Sequence, residues 1–294
     1  MRYGIGPAFW GNTWDCDLEK YKRVAKKLAD IGFSMYEISA DNLYRMTDQE
    51  VLEMAAISKE YDLVLSTNSG PAKEYDFSSP DEAVRKNAMD YFKKIIRNMD
   101  IVKSPCLAGA IYSFWPTDFV LTDKKAAWER SIPMIGELGK YAEGFGIDIA
   151  LEVLNRNETY ILTDCKEALE YCERTGSKAV NVLLDTYHMN IEEDNMCDAI
   201  RLAGDRLKHF HVGENNRKLP GMNNSLNWDA IGQALRDINY DKGVVMEPFL
   251  HDGGAVGHDV RVWRDLSEGA AFNEEKLDEL LKKSLTFLKS KCEG

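Results

Sequence analysis

Four apolar runs in this chain carry, at or near their ends, a residue that binds metals or moves protons. Glu152 stands in IDIALEVLNRNETY (residues 147–160), and Asp185 follows the run 180–184 in VNVLLDTYHMN. His211 comes late in RLKHFHVGE, and Glu247 comes late in GVVMEPF. An unpaired charge in apolar surroundings is costly, so such groups are paired, protonated or coordinated. A single divalent ion reached by all four would account for each of them. Three carboxylates and one imidazole make a hard, mostly oxygen donor set. That set suits Mn2+, Co2+ or Mg2+ better than a structural zinc.

Each residue alone says little, because a Glu ending a strand is more often solvated or salt-bridged. Strand side chains alternate, so His209 and His211 share a face. His211 lies nearer the strand end and is the expected ligand. His209 is expected one layer lower, behind the ligand or in the core. The acidic run IEED at 191–194 reads as the solvated first turn of a helix and stays outside the set.

An ion bound to a sugar carbonyl and the neighbouring hydroxyl acidifies the C–H between them by stabilising the enediolate. In chain order Glu152 and Glu247 flank the other two ligands. One could take the proton from one face and the other return it to the opposite face, which is epimerisation without an organic cofactor. Coordination lowers a carboxylate's basicity, so each Glu would act through its less tightly held oxygen. Glu158, His188, Arg217 and Trp115 fall just past apolar runs, where loops would form the mouth of the site. A sugar pocket needs a few convergent polar groups and an apolar wall. Loops also carry purely structural residues, so a plain Arg217–Glu158 ion pair and a core Trp115 stay open.

The elements that would carry these residues alternate regularly. Short strands are expected at 3–6, 34–39, 63–67, 106–114, 147–153, 180–184, 207–212 and 243–247. Helices are expected at 17–31, from Thr47 through 60, from 79 through about 99, 124–145, from Thr163 through 174, 196–202, 228–238, and from Asn273 onward. Apolar residues recur at helical spacing in these segments, for example Leu18, Tyr21, Val24, Ala25, Leu28 and Ile31. Thr47 with Glu50 forms a capping box, and Ser79-Pro80 with Glu82 gives a second start signal. Eight strands alternating with eight helices predict an α/β fold, a single (β/α)8 TIM barrel over residues 1–294. A doubly wound open sheet is the alternative, but no G-x-G-x-x-G or Walker A loop follows the first strand. In a barrel, the four candidate ligands sit at the C-terminal ends of neighbouring strands five to eight, where they can converge.

Composition bounds the partners. The net charge of -12 argues against nucleic acid, which requires a basic face. No apolar run is long enough for a membrane helix, and the N-terminal stretch does not read as a signal peptide. The six cysteines form no C-x-x-C pair and read as free thiols of a reducing compartment, so a cytoplasmic location is expected.

The segments LEVLNR, LLDTYHMNIEED, HVGENNRKLPG, WDAIGQALRDINYDKGVVMEPF and VWRDLSEGA, with GAIYSFWPTDF and Gly70-Pro71, carry a resemblance. The chain resembles the ketose 3-epimerases, the D-tagatose and D-psicose (D-allulose) 3-epimerase family, over nearly its whole length. The resemblance implies a (β/α)8 barrel, a Mn2+ or Co2+ ion, a small ketose substrate and a homodimer or homotetramer. It implies metal ligation by Glu152, Asp185, His211 and Glu247, with Glu152 and Glu247 as the catalytic acid/base pair. It places Glu158, His188 and Arg217 on the O1 to O3 end of the sugar and Trp115 on an apolar wall. The chain departs from the family pattern at GIGPAFW (Gly6, Pro7), at STNSGP (66–71) and at PGMNNSLNW, all expected around the far end of the sugar. The reaction class is therefore better specified than the preferred ketose.

Other chemistries fit less well. An aldose–ketose isomerase would use the same barrel but act between C1 and C2. An endonuclease-like hydrolase needs more histidine ligands and a basic surface, whereas all five histidines here lie between 188 and 258. A polyol dehydratase would also need a metal and an acid/base pair. A non-catalytic sugar-binding protein would hold three buried acids without use, which is expensive.

Overall fold

The computed structural model describes residues 1–294. Eight parallel strands form a ring: β1 (Arg2–Ile5), β2 (Met35–Ser39), β3 (Val64–Ser69), β4 (Cys106–Gly109), β5 (Asp148–Glu152), β6 (Val180–Asp185), β7 (Leu207–Val212) and β8 (Gly243–Met246). Ladders join β2 through β8 in order and then β8 to β1. The last seam is drawn together by Ser34 N donating to the Tyr3 carbonyl at 3.1 Å. This is the TIM barrel the alternation predicts, with strands buried on both faces and therefore apolar almost throughout.

The helices around it are α1 (Leu18–Ile31), α2 (Ala40–Arg45), α3 (Asp48–Tyr61), α4 (Glu82–Val102), α5 (Lys124–Glu143), α6 (Cys165–Thr175), α7 (Thr186–Glu192), α8 (Met196–Ala203), α9 (Trp228–Asp237), α10 (Gly254–Asp259) and α11 (Glu274–Cys292). Helix α1 buries Tyr21, Val24, Ala25 and Leu28 on one stripe, and Gly32 ends it in the left-handed region. The Thr47–Glu50 capping box forms as expected, and Asn273 caps α11.

Several expected boundaries move. Asp81, not Ser79, caps α4 by accepting from Ala83 N, and Asp164, not Thr163, caps α6 by accepting from Glu167 N. In both cases an Asp standing directly before the first helical residue takes the cap in place of the hydroxyl upstream. Strand β4 stops at Gly109, whose φ of 114° turns the chain away. Residues 110–114, expected to extend that strand, instead form a turn closed by Ser113 N donating to the Ala110 carbonyl. The IEED run closes α7 rather than opening a helix. Glu192 accepts from Arg156, and Glu193 accepts from Cys165 N at 2.7 Å. No helix is long and apolar enough to cross a membrane.

The barrel interior is filled by apolar side chains at the bottom and polar ones toward the top. Gly4 and Gly243 make room for Met35 at the bottom: a Cβ on Gly243 would come within 2.7 Å of the Met35 sulfur. Above it lie Ala108, Ala150 and Leu183, with Glu37 and His209, and the top layer holds Glu152, Asp185 and His211.

Candidate active site

The top layer is built by strand ends. Glu152 is the last residue of β5 and Asp185 the last of β6, while His211 sits one before the end of β7. Glu247 follows β8 directly. Asp185 pairs in register with His211, so the two Cβ atoms leave adjacent strands at one level. Asp185 also caps α7: its Oδ1 accepts from Tyr187 N at 2.8 Å, which fixes the carboxylate and leaves Oδ2 for the pocket. The Glu152 carbonyl is held from behind by the Tyr112 hydroxyl at 3.0 Å. One ligand-type atom from each of Glu152, Asp185, His211 and Glu247 lies within 4.8 Å of the others.

Burial works against the charged form of these acids, while at His211 burial is outweighed by the surrounding acids Glu37, Glu247 and Glu152, which raise its pKa well above the usual value. Burial raises the pKa of Glu152 and of Asp185 despite nearby His211 and Arg217. Burial likewise pushes Glu247 up to about 7, against the pull of His211 and Arg217 and with the help of Glu152. His211 Nδ1 is fully buried and has no hydrogen-bond partner. It faces Glu152 Oε1 and Glu247 Oε1, each at 3.6 Å. An imidazole nitrogen left bare between carboxylate oxygens is the arrangement a hard divalent ion completes. The donor set and the orphaned nitrogen therefore fit a metal.

Arg217 is 4% exposed and reaches into the same group. Its Nη1 lies 2.9 Å from Asp185 Oδ2 and 2.8 Å from Glu247 Oε2. Its guanidinium stacks on Tyr187 at 3.8 Å. Asn155 N donates to His188 Nδ1 at 3.1 Å, and Arg217 Nη2 lies 3.2 Å from His188 Nε2. That nitrogen faces Glu152 Oε1 and Asp185 Oδ2 at 3.7 Å each. Burial, then Arg217 and His211, hold His188 well below its usual pKa and so neutral. Glu158 accepts from Trp115 Nε1 at 3.0 Å and lies 3.6 Å from Arg217 Nη2. The loop ion pair and the pocket wall are thus one network.

A cavity of about 390 Å³ opens above the carboxylates. Trp115, Trp14 and Phe249 form part of its wall, with Trp14 edge-on to each of the other two at 5.9 and 5.7 Å. Glu152, Glu158, His188, Arg217 and Glu247 all line it.

The pattern that defines the xylose isomerase-like TIM barrel family matches residues 25–288. The chain is 41% identical over 288 residues to D-psicose 3-epimerase of Ruminiclostridium cellulolyticum, covering 98% of this chain and 96% of that one. It is 43% identical over 290 residues to D-psicose 3-epimerase of Enterocloster bolteae, at 98% and 94% coverage. The chain belongs to the ketose 3-epimerase family. Among solved structures, D-psicose 3-epimerase with D-tagatose from Clostridium cellulolyticum H10 superposes with a TM-score of 0.95 at 41% identity, covering 99% of each chain. D-psicose 3-epimerase in the presence of D-fructose gives 0.96 at 37% identity over 100% of each chain.

In this member of the ketose 3-epimerase family, two of the three sequence departures line the cavity: Gly6 with Pro7, and Asn68 to Gly70. The third, PGMNNSLNW, does not. Its loop is tied down by the buried Glu214, which accepts from Gly221 N, Ser225 and Trp228 Nε1. Sequence reasoning missed Glu37, Trp14, Tyr112 and Asn155. Glu37 carried the same signal as Glu152, an acid inside the apolar strand MYEIS, but it lies in mid-strand rather than at the end.

Proposed function

We propose that this protein inverts C3 of free ketohexoses in a metal-dependent reaction, interconverting D-fructose and D-psicose first among them. The observation that carries this reading is a pair of carboxylates, one buried and one partly exposed, around one unpartnered imidazole nitrogen: Glu152 and Glu247 each lie 3.6 Å from His211 Nδ1. Glu152, Asp185, His211 and Glu247 would hold Mn2+, Co2+ or Mg2+. Bound there, the ion supplies Lewis-acid stabilisation of the negative charge that develops as the C3 proton leaves.

The side chains do the rest. Glu152 or Glu247 takes the C3 proton, and the C–H electrons form the C2=C3 bond of an enediolate. The other, entering as its carboxylic acid, then delivers its proton to the opposite face of C3 and is left ionised, and the electrons return to the C2 carbonyl. Burial raises both carboxyl pKa values, which opposes the loss of basicity on coordination. The neutral His188 ring and the Arg217 guanidinium face the O1 to O3 end of the sugar, with the guanidinium as donor. Glu158 accepts there and keeps Trp115 in the wall, while the aromatic side chains keep water from the enediolate.

The substrate is read as an uncharged sugar. The cavity lining includes Asp15, Asp41 and Asp259 beyond the cluster, and its arginines, Arg45 and Arg217, are already ion-paired. A phosphate would meet an acidic wall without a free cation. D-Psicose is favoured because relatives named for it are 38–43% identical, against 26% for L-ribulose 3-epimerase of Methylomonas sp.. The test is a panel of D-fructose, D-psicose, D-tagatose and L-ribulose with metal-loaded protein, products resolved by chromatography. C3 epimers formed only with metal support the reading. Aldose products, or turnover that survives chelation, refute it.

A further inference from the structure

Behind the four candidate ligands lies one more carboxylate, at the edge of the cavity lining and bonded to His211. Glu37 is 5% exposed, on β2, across the barrel from β7. Its Oε2 is 2.7 Å from His209 Nε2, and its Oε1 is 3.2 Å from His211 Nε2, with Oε2 at 3.4 Å from the same nitrogen. Ser66 Oγ donates to Oε2 at 3.3 Å and Asn68 Nδ2 to Oε1 at 3.4 Å. An ionised carboxylate offers about four lone-pair sites and no donor. Four donors converge on this one, so every site is filled and a carboxyl proton has no place. The consequence falls on His211. Its Nε2 must carry a proton to satisfy Glu37, and its Nδ1 is the bare atom facing Glu152 and Glu247.

We propose that Glu37 is a positioning residue for the metal site. One ionised carboxylate, braced by His209, holds the His211 proton on Nε2, orients the ring and presents Nδ1 as a ligand. The inference rests on the metal assignment made above and extends it to the carboxylate behind His211. A carboxylate behind a ligating histidine fixes its tautomer and raises its basicity, and loss of such a partner costs 10–100-fold in metal affinity. The trio Glu37, His209 and His211 also meets the spacing for a metal cluster of its own. The four donors argue against an ion there, since it would displace both the Ser66 and Asn68 contacts and strip His211 of its remaining proton.

Two measurements on the full-length protein test this. In the first, 15N-histidine-labelled protein is reloaded with diamagnetic Mg2+ and its ring nitrogens are read by long-range 1H–15N correlation. The expected result is a proton on His211 Nε2 and none on Nδ1. A proton on Nδ1, or none on Nε2, overturns the proposal. In the second, Mn2+ is titrated calorimetrically into wild type, Glu37→Gln and Ser66→Ala. Glu37→Gln should bind Mn2+ about 10–100-fold more weakly, still at one ion per chain. Ser66→Ala removes a donor but leaves His211 its acceptor, and should match wild type. Two ions per wild-type chain overturn the proposal. If wild type binds Mn2+ and epimerises while Glu37→Gln binds equally well, this inference alone fails. If wild type takes up no divalent ion, the proposed function falls with it. Should Glu37→Gln not fold, the first measurement decides.

Discussion

Replacing Glu247 by Gln should destroy activity and, in metal-free protein at pH 8, raise stability. Burial raises the Glu247 pKa from its usual 4.5 to about 7. A carboxyl whose folded pKa lies above its unfolded one binds its proton more tightly in the native state. Below the unfolded value the penalty is absent, and it grows as pH rises to the folded value. At about 1.4 kcal/mol per tenfold change in proton affinity, full ionisation costs the metal-free fold about 3 kcal/mol. Gln has the shape of the protonated acid and carries no charge. At roughly 2 °C per kcal/mol for a chain of this size, Glu247→Gln should melt about 6 °C above wild type at pH 8 in chelator. The gap should close near pH 4.5. Calorimetric scans of both proteins between pH 4.5 and 8 measure it, and epimerase assays with Mn2+ should show a loss of 10²–10⁴-fold or more. A variant that is less stable than wild type at pH 8, or a gap that does not depend on pH, would refute the reasoning that this carboxylate is held against its own electrostatics for use with a cation.

Three further outcomes are expected. Arg217→Ala removes the guanidinium that spans Asp185 and Glu247 and should raise KM for the ketose on the order of 100-fold, the scale for a buried charged hydrogen-bond donor; unchanged steady-state kinetics would remove Arg217 from the site. Gly70→Ala puts a Cβ 2.9 Å from Trp115 Cε3, so the ring must shift and loosen its bond to Glu158. A KM about tenfold higher with nearly unchanged Tm is expected, and a wild-type KM would show that the Trp115 wall does not contact substrate. Chelation should abolish turnover and lower Tm, and Mn2+ at about 100 times its Kd should restore about 2.7 kcal/mol of stability. Full activity in chelator, followed by polarimetry, would contradict a metal-dependent reaction.

The barrel was legible because parallel strands covered on both faces read as short apolar runs, and amphipathic helices between them mark the crossovers. The ligand candidates were legible for the same reason, since an acid or His at the end of such a run stands out. Glu37 did not stand out, because its imidazole partner His209 comes from a strand distant in sequence that only barrel closure brings near, while Ser66 and Asn68 come from the neighbouring β3. The short helices α2, α7 and α10 were missed because each is no more than seven residues and lies in a βα loop, where tertiary contacts outweigh propensity. Strand β4 was overextended because residues 110–114 are apolar for a different reason: Tyr112 packs inside to hold the end of β5. The pairing of Arg217 with Glu158 and the place of Trp115 were open in the sequence. The structure joins all three through the two oxygens of one carboxylate, Oε2 accepting from Trp115 and Oε1 facing Arg217.

The central claim is proton transfer at C3 by two carboxylates around a bound metal. Its most direct test is to strip the protein, add Mn2+, and incubate it with D-fructose in D2O, reading deuterium position by NMR. The account predicts deuterium at C3 with D-psicose appearing, and neither when metal is withheld. Deuterium confined to C1, or an aldose product, would contradict it.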